Sequence, residues 1–154
     1  MKSSIPGTIT VSKKDRESWK RGVIHEKWAR LYPSIFDSDD LRLAHAQYLY
    51  GNHYSEWVVA IALLKRFGWM SLIEKYEFKK HTRKQEILKK LGIELERYKH
   101  CQYPDLLIYD TVGNWDFVEV KTETDKLSVR QKKYFPLIEK KLKKRIKILQ
   151  LREI

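Results

Sequence analysis

Apolar positions along the chain fall into blocks of two different periods, and the blocks are separated by glycine, proline and charged residues. The densest block, Glu56 to Phe67, is apolar almost all round (Trp57, Val58, Val59, Ile61, Leu63, Leu64), which predicts a helix buried in a core. Ser55 or Asn52 is placed to cap it, and Gly68 to stop it. Upstream, an aromatic and basic stretch from Arg16 to Tyr32 (Trp19, Trp28, Tyr32) predicts a helix ending before Pro33. Asp37 to Asp40 offers caps and an acidic first turn for another helix to about Tyr50, broken by Gly51-Asn52. Residues 1–14, with Pro6-Gly7 and few apolar anchors, are expected to be flexible.

Beyond residue 68 the pattern shortens. Trp69 to Phe78 predicts the first strand, with imperfect alternation. Thr82 to Gln85 fits a capping box opening a helix to about Leu91, with Gly92 as its stop; residues 92–102 have no readable pattern. Two apolar runs, Pro104 to Asp110 and Phe117 to Lys121, then flank Gly113-Asn114 and predict a hairpin. Ser128 to Gln131 fits a second capping box, and Pro136 is expected to kink or split the helix that follows. Ile146 to Leu151 reads as a terminal strand joining the same sheet.

The hairpin carries the candidate chemistry. Alternation puts Val118 and Val120 on one face and Phe117, Glu119 and Lys121 on the other. Same-side neighbours lie roughly 6–7 Å apart, so Glu119 and Lys121 border one pocket, toward which Asp105 can point across the hairpin. Two carboxylates can hold a divalent cation on a phosphate, and an adjacent lysine can orient or deprotonate a water. An ordinary hairpin with charges on its solvated face is the alternative at this point.

Composition narrows the classes. A chain of 154 residues suits one core, and 32 Lys+Arg against 20 Asp+Glu give a formal charge of +12, which favours a polyanionic partner. From Lys126 onward eleven Lys/Arg oppose Glu139 and Glu153, so nine of those twelve charges follow the hairpin directly. The single cysteine, Cys101, permits no intramolecular disulfide, and a reducing, intracellular setting is expected, cytoplasmic if the source is bacterial or viral. No apolar run follows Met1, no segment approaches a membrane span, and the five histidines lack zinc-site spacing. No signal peptide, membrane contact or dedicated zinc site is therefore expected.

Pro104-Asp105-Leu106, Glu119-Val120-Lys121 and then Asp125-Lys126-Leu127-Ser128-Val129-Arg130-Gln131 together resemble the virus-type replication-repair nuclease (VRR-Nuc) family of the PD-(D/E)xK superfamily. The resemblance covers about a third of the chain. Gln102, Thr122 and Thr124 stand where that family favours glycine, and threonine disfavours the positive φ that glycine allows. It implies an α/β domain over 51–154, a restriction-endonuclease-like mixed sheet flanked by helices, behind a helical N-terminal extension over 1–50. It implies Mg²⁺- or Mn²⁺-dependent DNA hydrolysis, with the metal on Asp105, Glu119, the Val120 carbonyl and Glu56. Lys121 would activate the water and Gln131 would orient water or phosphate. Glu56 is equally a first-turn charge, and Gln131 equally a capping residue.

The basic run supplies the candidate DNA-binding residues Lys126, Arg130, Lys132, Lys133, Lys140, Lys141, Lys143 and Lys144. A homodimer acting on branched DNA such as a Holliday junction is the implied assembly, and the aromatic N-terminal region is its candidate interface. A flap or nicking nuclease of a phage or mobile element, a non-catalytic module on the same fold, and an RNA-associated basic protein are the rivals.

Overall fold

A computed structural model of the chain describes residues 4–35, 53–78, 82–98 and 101–154. The helix expected from about 37 to 50, and Asn52 as a cap, lie outside them. In chain order the described elements are β1 (Thr8–Val11), α1 (Lys13–Lys20), α2 (Ile24–Leu31), α3 (Tyr54–Phe67), β2 (Met70–Ile73), α4 (Thr82–Leu91), β3 (Leu106–Tyr109), β4 (Trp115–Lys121), α5 (Val129–Leu142) and β5 (Lys147–Glu153).

The strands form one mixed sheet in the order β1-β5-β4-β3-β2. β2, β3 and β4 run antiparallel, while β4 and β5 are parallel, as are β5 and β1. The parallel step is made by α5, because two parallel neighbours need a crossover rather than a hairpin. Val118 and Val120 face a cluster containing Trp19, Trp28, Trp57 and Leu63 from α1, α2 and α3. Phe117 and Leu107 face the other cluster, with Leu88 of α4 and Phe135 and Ile138 of α5. Helices therefore cover both faces, and the alternation expected along β4 is the one observed. None of the described helices is long and apolar enough to cross a membrane.

Several local expectations change. Residues 8–11, expected to be flexible, form β1: Ile9 and Val11 are buried and pair with Leu151 and Glu153. Two apolar side chains suffice for this edge strand because α1 is fastened to β5 by a bidentate Arg16–Glu153 pair at 2.7–3.0 Å. The single helix expected from Arg16 to Tyr32 is two, divided where Gly22 takes a φ of 72°. β2 stops at Ile73 rather than Phe78, because Glu74 and Lys75 turn into positive φ (43° and 52°).

At the next helix, α3 begins two residues before Glu56, so Ser55 lies inside it; its N-cap position is His53, whose side chain makes no capping hydrogen bond. Gly68, at φ 75°, ends it as expected. α4 begins at Thr82, and the Gln85 amide donates to the Tyr76 and Phe78 carbonyls. The box at Ser128 and Gln131 is complete, and α5 runs through Pro136 without dividing.

Four of the N-terminal aromatics are interior, while Tyr32 is half-buried. Trp19, Trp28, Tyr54 and Trp57 are each at most 5% exposed, with ring centroids 5.9–6.4 Å apart. They complete the core beneath the sheet and are not available as an interface between copies, the role expected of them; Tyr48 and Tyr50 lie outside the described residues. Trp19→Ala is accordingly expected to lower the unfolding free energy by about 3–5 kcal/mol in urea titration. Its native mass by light scattering should equal that of the wild type.

Candidate functional site

The hairpin brings Asp105 and Glu119 together by a reciprocal exchange. The Asp105 N–H donates to Glu119 Oε1 at 3.1 Å, and the Val120 N–H donates to Asp105 Oδ2 at 2.9 Å. Each carboxylate is thus positioned by a backbone group on the other's side of the hairpin. The residues ahead of β3 are pinned in turn. The buried Tyr76 hydroxyl donates to the Pro104 carbonyl at 2.6 Å, and the Glu74 N–H donates to the Asp105 carbonyl at 2.9 Å.

Proline has no N–H to offer, so Pro104 gives β4 no ladder donor at this point. In an antiparallel strand the N–H and C=O of one residue point the same way. The Val120 N–H faces Asp105, so its carbonyl faces the same side.

Lys121 and Gln131 close the group. Lys121 Nζ lies 3.1 Å from Glu119 Oε2 and donates to Gln131 Oε1 at 3.2 Å. Gln131 Nε2 donates to Glu119 Oε2 at 2.6 Å, while Gln131 Oε1 also accepts the Ser128 N–H at 3.0 Å. Gln131 therefore caps α5, and its amide bridges Glu119 to Lys121. The N-terminus of α5 is thereby aimed at the carboxylates, an arrangement that also suits an anion.

Charge is not balanced here. Burial pushes the Asp105 carboxyl well above its ordinary range, and the Glu119 and Glu56 carboxylates push it the same way. A hard divalent cation with oxygen ligands would relieve this. Asp105, Glu119 and the Val120 carbonyl are oxygen donors of the kind such a cation takes. Glu56 Oε2 is buried and has no hydrogen-bond partner among the described residues.

Two residues of this neighbourhood were not legible in the sequence. His53 Nδ1 stands 2.6 Å from Glu74 Oε1 and 3.6 Å from Glu56 Oε1. Ligand atoms of His53, Glu56 and Glu74 lie within 4.8 Å of one another, a set that could also hold a metal ion. Glu74 reaches it from the positive-φ turn after β2, which the buried Lys84 of α4 fixes by donating to the Ile73 and Glu74 carbonyls at 3.0 and 3.4 Å. Nothing in the sequence pattern announces that turn; the only available signal is a glutamate following an apolar run.

Of the basic run, Lys126, Arg130, Lys132, Lys133, Lys140, Lys141 and Lys143 are exposed and Lys144 is half-buried. Lys141 is ion-paired to Glu96, and Lys144 donates to the Trp115 carbonyl at 2.8 Å with its ammonium 4.7 Å from the Trp115 ring. Those two lysines hold the fold as well as adding charge. In the loop after β4, neither Thr122 nor Thr124 takes a positive φ. The Thr122 hydroxyl and N–H both donate to Asp125, at 2.7 and 3.2 Å, and close the turn without glycine. A cavity of about 450 Å³ opens beside the carboxylates, lined by Asp105, Glu119, Gln131 and Arg130 and by Arg97, Tyr98, Cys101, Gln102 and Tyr103.

Comparison with protein-family models, with curated proteins and with solved structures returns no match for this chain.

Hydrogen bonds to Glu56 and Glu74 raise the His53 imidazole from 6.5 to about 10, against the opposing effect of its partial burial. A group whose pKa is higher folded than unfolded stabilises fully below its unfolded value and loses that contribution as pH rises through the folded one. In EDTA, wild type should therefore exceed His53→Ala in melting temperature near pH 6, and the gap should close by about pH 10. A gap independent of pH would mean that His53 acts through packing alone.

Proposed function

We propose that the protein is a metal-dependent nuclease that hydrolyses DNA phosphodiester bonds, on a restriction-endonuclease-like sheet of the VRR-Nuc kind. The observation that carries this reading is the joint placement of Asp105, Glu119, Lys121 and Gln131 within hydrogen-bonding reach. A hairpin with solvated charges would not bury Glu119 to 2% exposure, because a buried carboxylate is costly unless something repays its desolvation. A basic protein that only bound polyanions would have no need of that arrangement.

Mg²⁺ or Mn²⁺ on Asp105, Glu119, the Val120 carbonyl and Glu56 would supply Lewis-acid stabilisation of the phosphate and lower the pKa of a bound water. Lys121, with its Nζ between Glu119 and Gln131, holds the attacking water and as the neutral amine accepts its proton, while the leaving sugar oxygen takes a proton from solvent. Gln131 keeps the lysine and Glu119 in register. As the water oxygen bonds to phosphorus, the bond to the leaving sugar oxygen breaks. The exposed lysines of α5 and the arginine beside the cavity hold the flanking backbone. Branched DNA and a pair of copies remain part of the proposal through the resemblance alone, since the N-terminal rings no longer support it.

Purified protein with Mg²⁺ or Mn²⁺ is expected to cut at least one of linear duplex, single strand, flap and four-way junction. EDTA, Glu119→Gln or Asp105→Asn should abolish cleavage. A Glu119→Gln protein purified in parallel that cuts like wild type would defeat the assignment. Lys121→Ala should slow cleavage about 10²–10⁴-fold while leaving DNA affinity within about twofold.

The salt dependence of binding tests the basic surface. Each phosphate contact contributes about 0.9 to the log–log slope on duplex DNA. Replacing Lys132, Lys133 and Lys140 by alanine should flatten the slope by up to about 2.7. An unchanged slope would assign these lysines to a solvated face.

A further inference from the structure

The cavity beside the carboxylates has two chemically different sides. Asp105, Glu119 and Gln131 line one, and Arg97 and Arg130 bring cationic groups to the same space. Tyr98, half-buried, lines the same cavity, and its ring ends a series rooted in the core. Phe117, fully buried, lies 5.9 Å from Tyr103, which lies 5.9 Å from Tyr98, and Tyr134 of α5 supports Tyr98 from 5.6 Å. The Tyr98–Cys101 bridge fixes the backbone on which the ring is carried. Such a ring is held in place before any ligand arrives, which removes much of the ordering cost of stacking on it.

One further group in the lining is unexplained by the fold. Glu77 is 6% exposed, and its Oε2 has no hydrogen-bond partner among the described residues. A buried polar atom left unpaired is costly, and a base edge with an exocyclic amino group is a natural partner for a carboxylate. The volume, about 450 Å³, falls within the roughly 300–1,000 Å³ of small-ligand sites. It suits one nucleotide, not a base pair.

We infer that this cavity is a subsite for a single unpaired nucleotide of the strand being cut, its base laid on Tyr98 and its phosphates held by Arg97 and Arg130. The inference rests on the nuclease reading for the word cut, but the binding it describes does not. In an intact duplex each base is covered on both faces by its neighbours, so Tyr98 reaches a base only outside the stack. The preferred substrate is therefore DNA that offers an unstacked nucleotide next to the scissile phosphate, at a bulge, a flap base or a branch point.

The test uses the whole protein in Ca²⁺ and two fluorescent duplexes of one sequence, each with a single unpaired nucleotide. One carries adenine at that position and the other an abasic residue. Wild type should bind the adenine probe about 5- to 150-fold more tightly, the range expected for one base on one aromatic ring. Tyr98→Ala should erase the difference, Tyr98→Phe should keep it, and Arg97→Ala should weaken both probes equally; circular dichroism checks that each variant is folded. Equal affinity of wild type for the two probes, or no binding of either, overturns the subsite, as does a difference that survives Tyr98→Ala.

Cleavage of the same probes in Mg²⁺ separates the two readings. Cutting of both probes, bound with equal affinity, keeps the nuclease and removes the subsite. Base-dependent binding without any cutting keeps the subsite and removes the nuclease.

Discussion

The exchange of backbone hydrogen bonds between Asp105 and Glu119 is the constraint around which this molecule is organised. Two carboxylates beside one another in a poorly solvated place repel, and nothing in their own charge would bring them there. They are brought there because Asp105 Oδ2 takes the Val120 N–H and Glu119 Oε1 takes the Asp105 N–H. Every element that touches the hairpin then contributes to keeping that geometry. Tyr76 and Glu74 hold the Pro104-Asp105 backbone from the segment after β2, Lys84 holds the turn that carries Glu74, and α5 presents Gln131 to both Glu119 and Lys121. The cost of gathering the charges is spread over the sheet and the helical layer of α4 and α5.

How far this could be read from the sequence depended on how local each cause is. The hairpin, its Gly113-Asn114 turn, the capping box at Ser128 and the stop at Gly68 are determined by residues a few positions apart, and all are present. Four of the five candidate catalytic residues, Asp105, Glu119, Lys121 and Gln131, form one hydrogen-bonded group. The fifth, Glu56, is linked to that group by the repulsion its charge exerts on Asp105.

What was not legible has its cause at long range. β1 is stabilised by pairing with residues about 140 positions away, so its own four residues carry little signal. β2 ends early because a buried lysine and the Asp105 backbone stabilise positive φ at Glu74, and that choice is invisible in a run of apolar residues. The same turn puts Glu74 beside His53. The segment from 92 to 103, without any period to read, supplies Arg97, Tyr98 and Tyr103 to the cavity wall. The aromatic surplus near the N-terminus was misleading for the opposite reason. Composition counts rings, but only packing decides whether they face a core or a partner.

The edges of the sheet carry a consequence of their own. Both outer strands, β1 and β2, are four residues long, while β4 and β5 inside have seven. A long unpaired edge is a template on which another chain can add strand by strand. β1 covers Gln150 to Glu153 of β5, and the uncovered start of that strand opens with Lys147, a charge that discourages a flat neighbour. The sheet is thereby terminated on both sides. Growth by strand addition at these two edges is disfavoured.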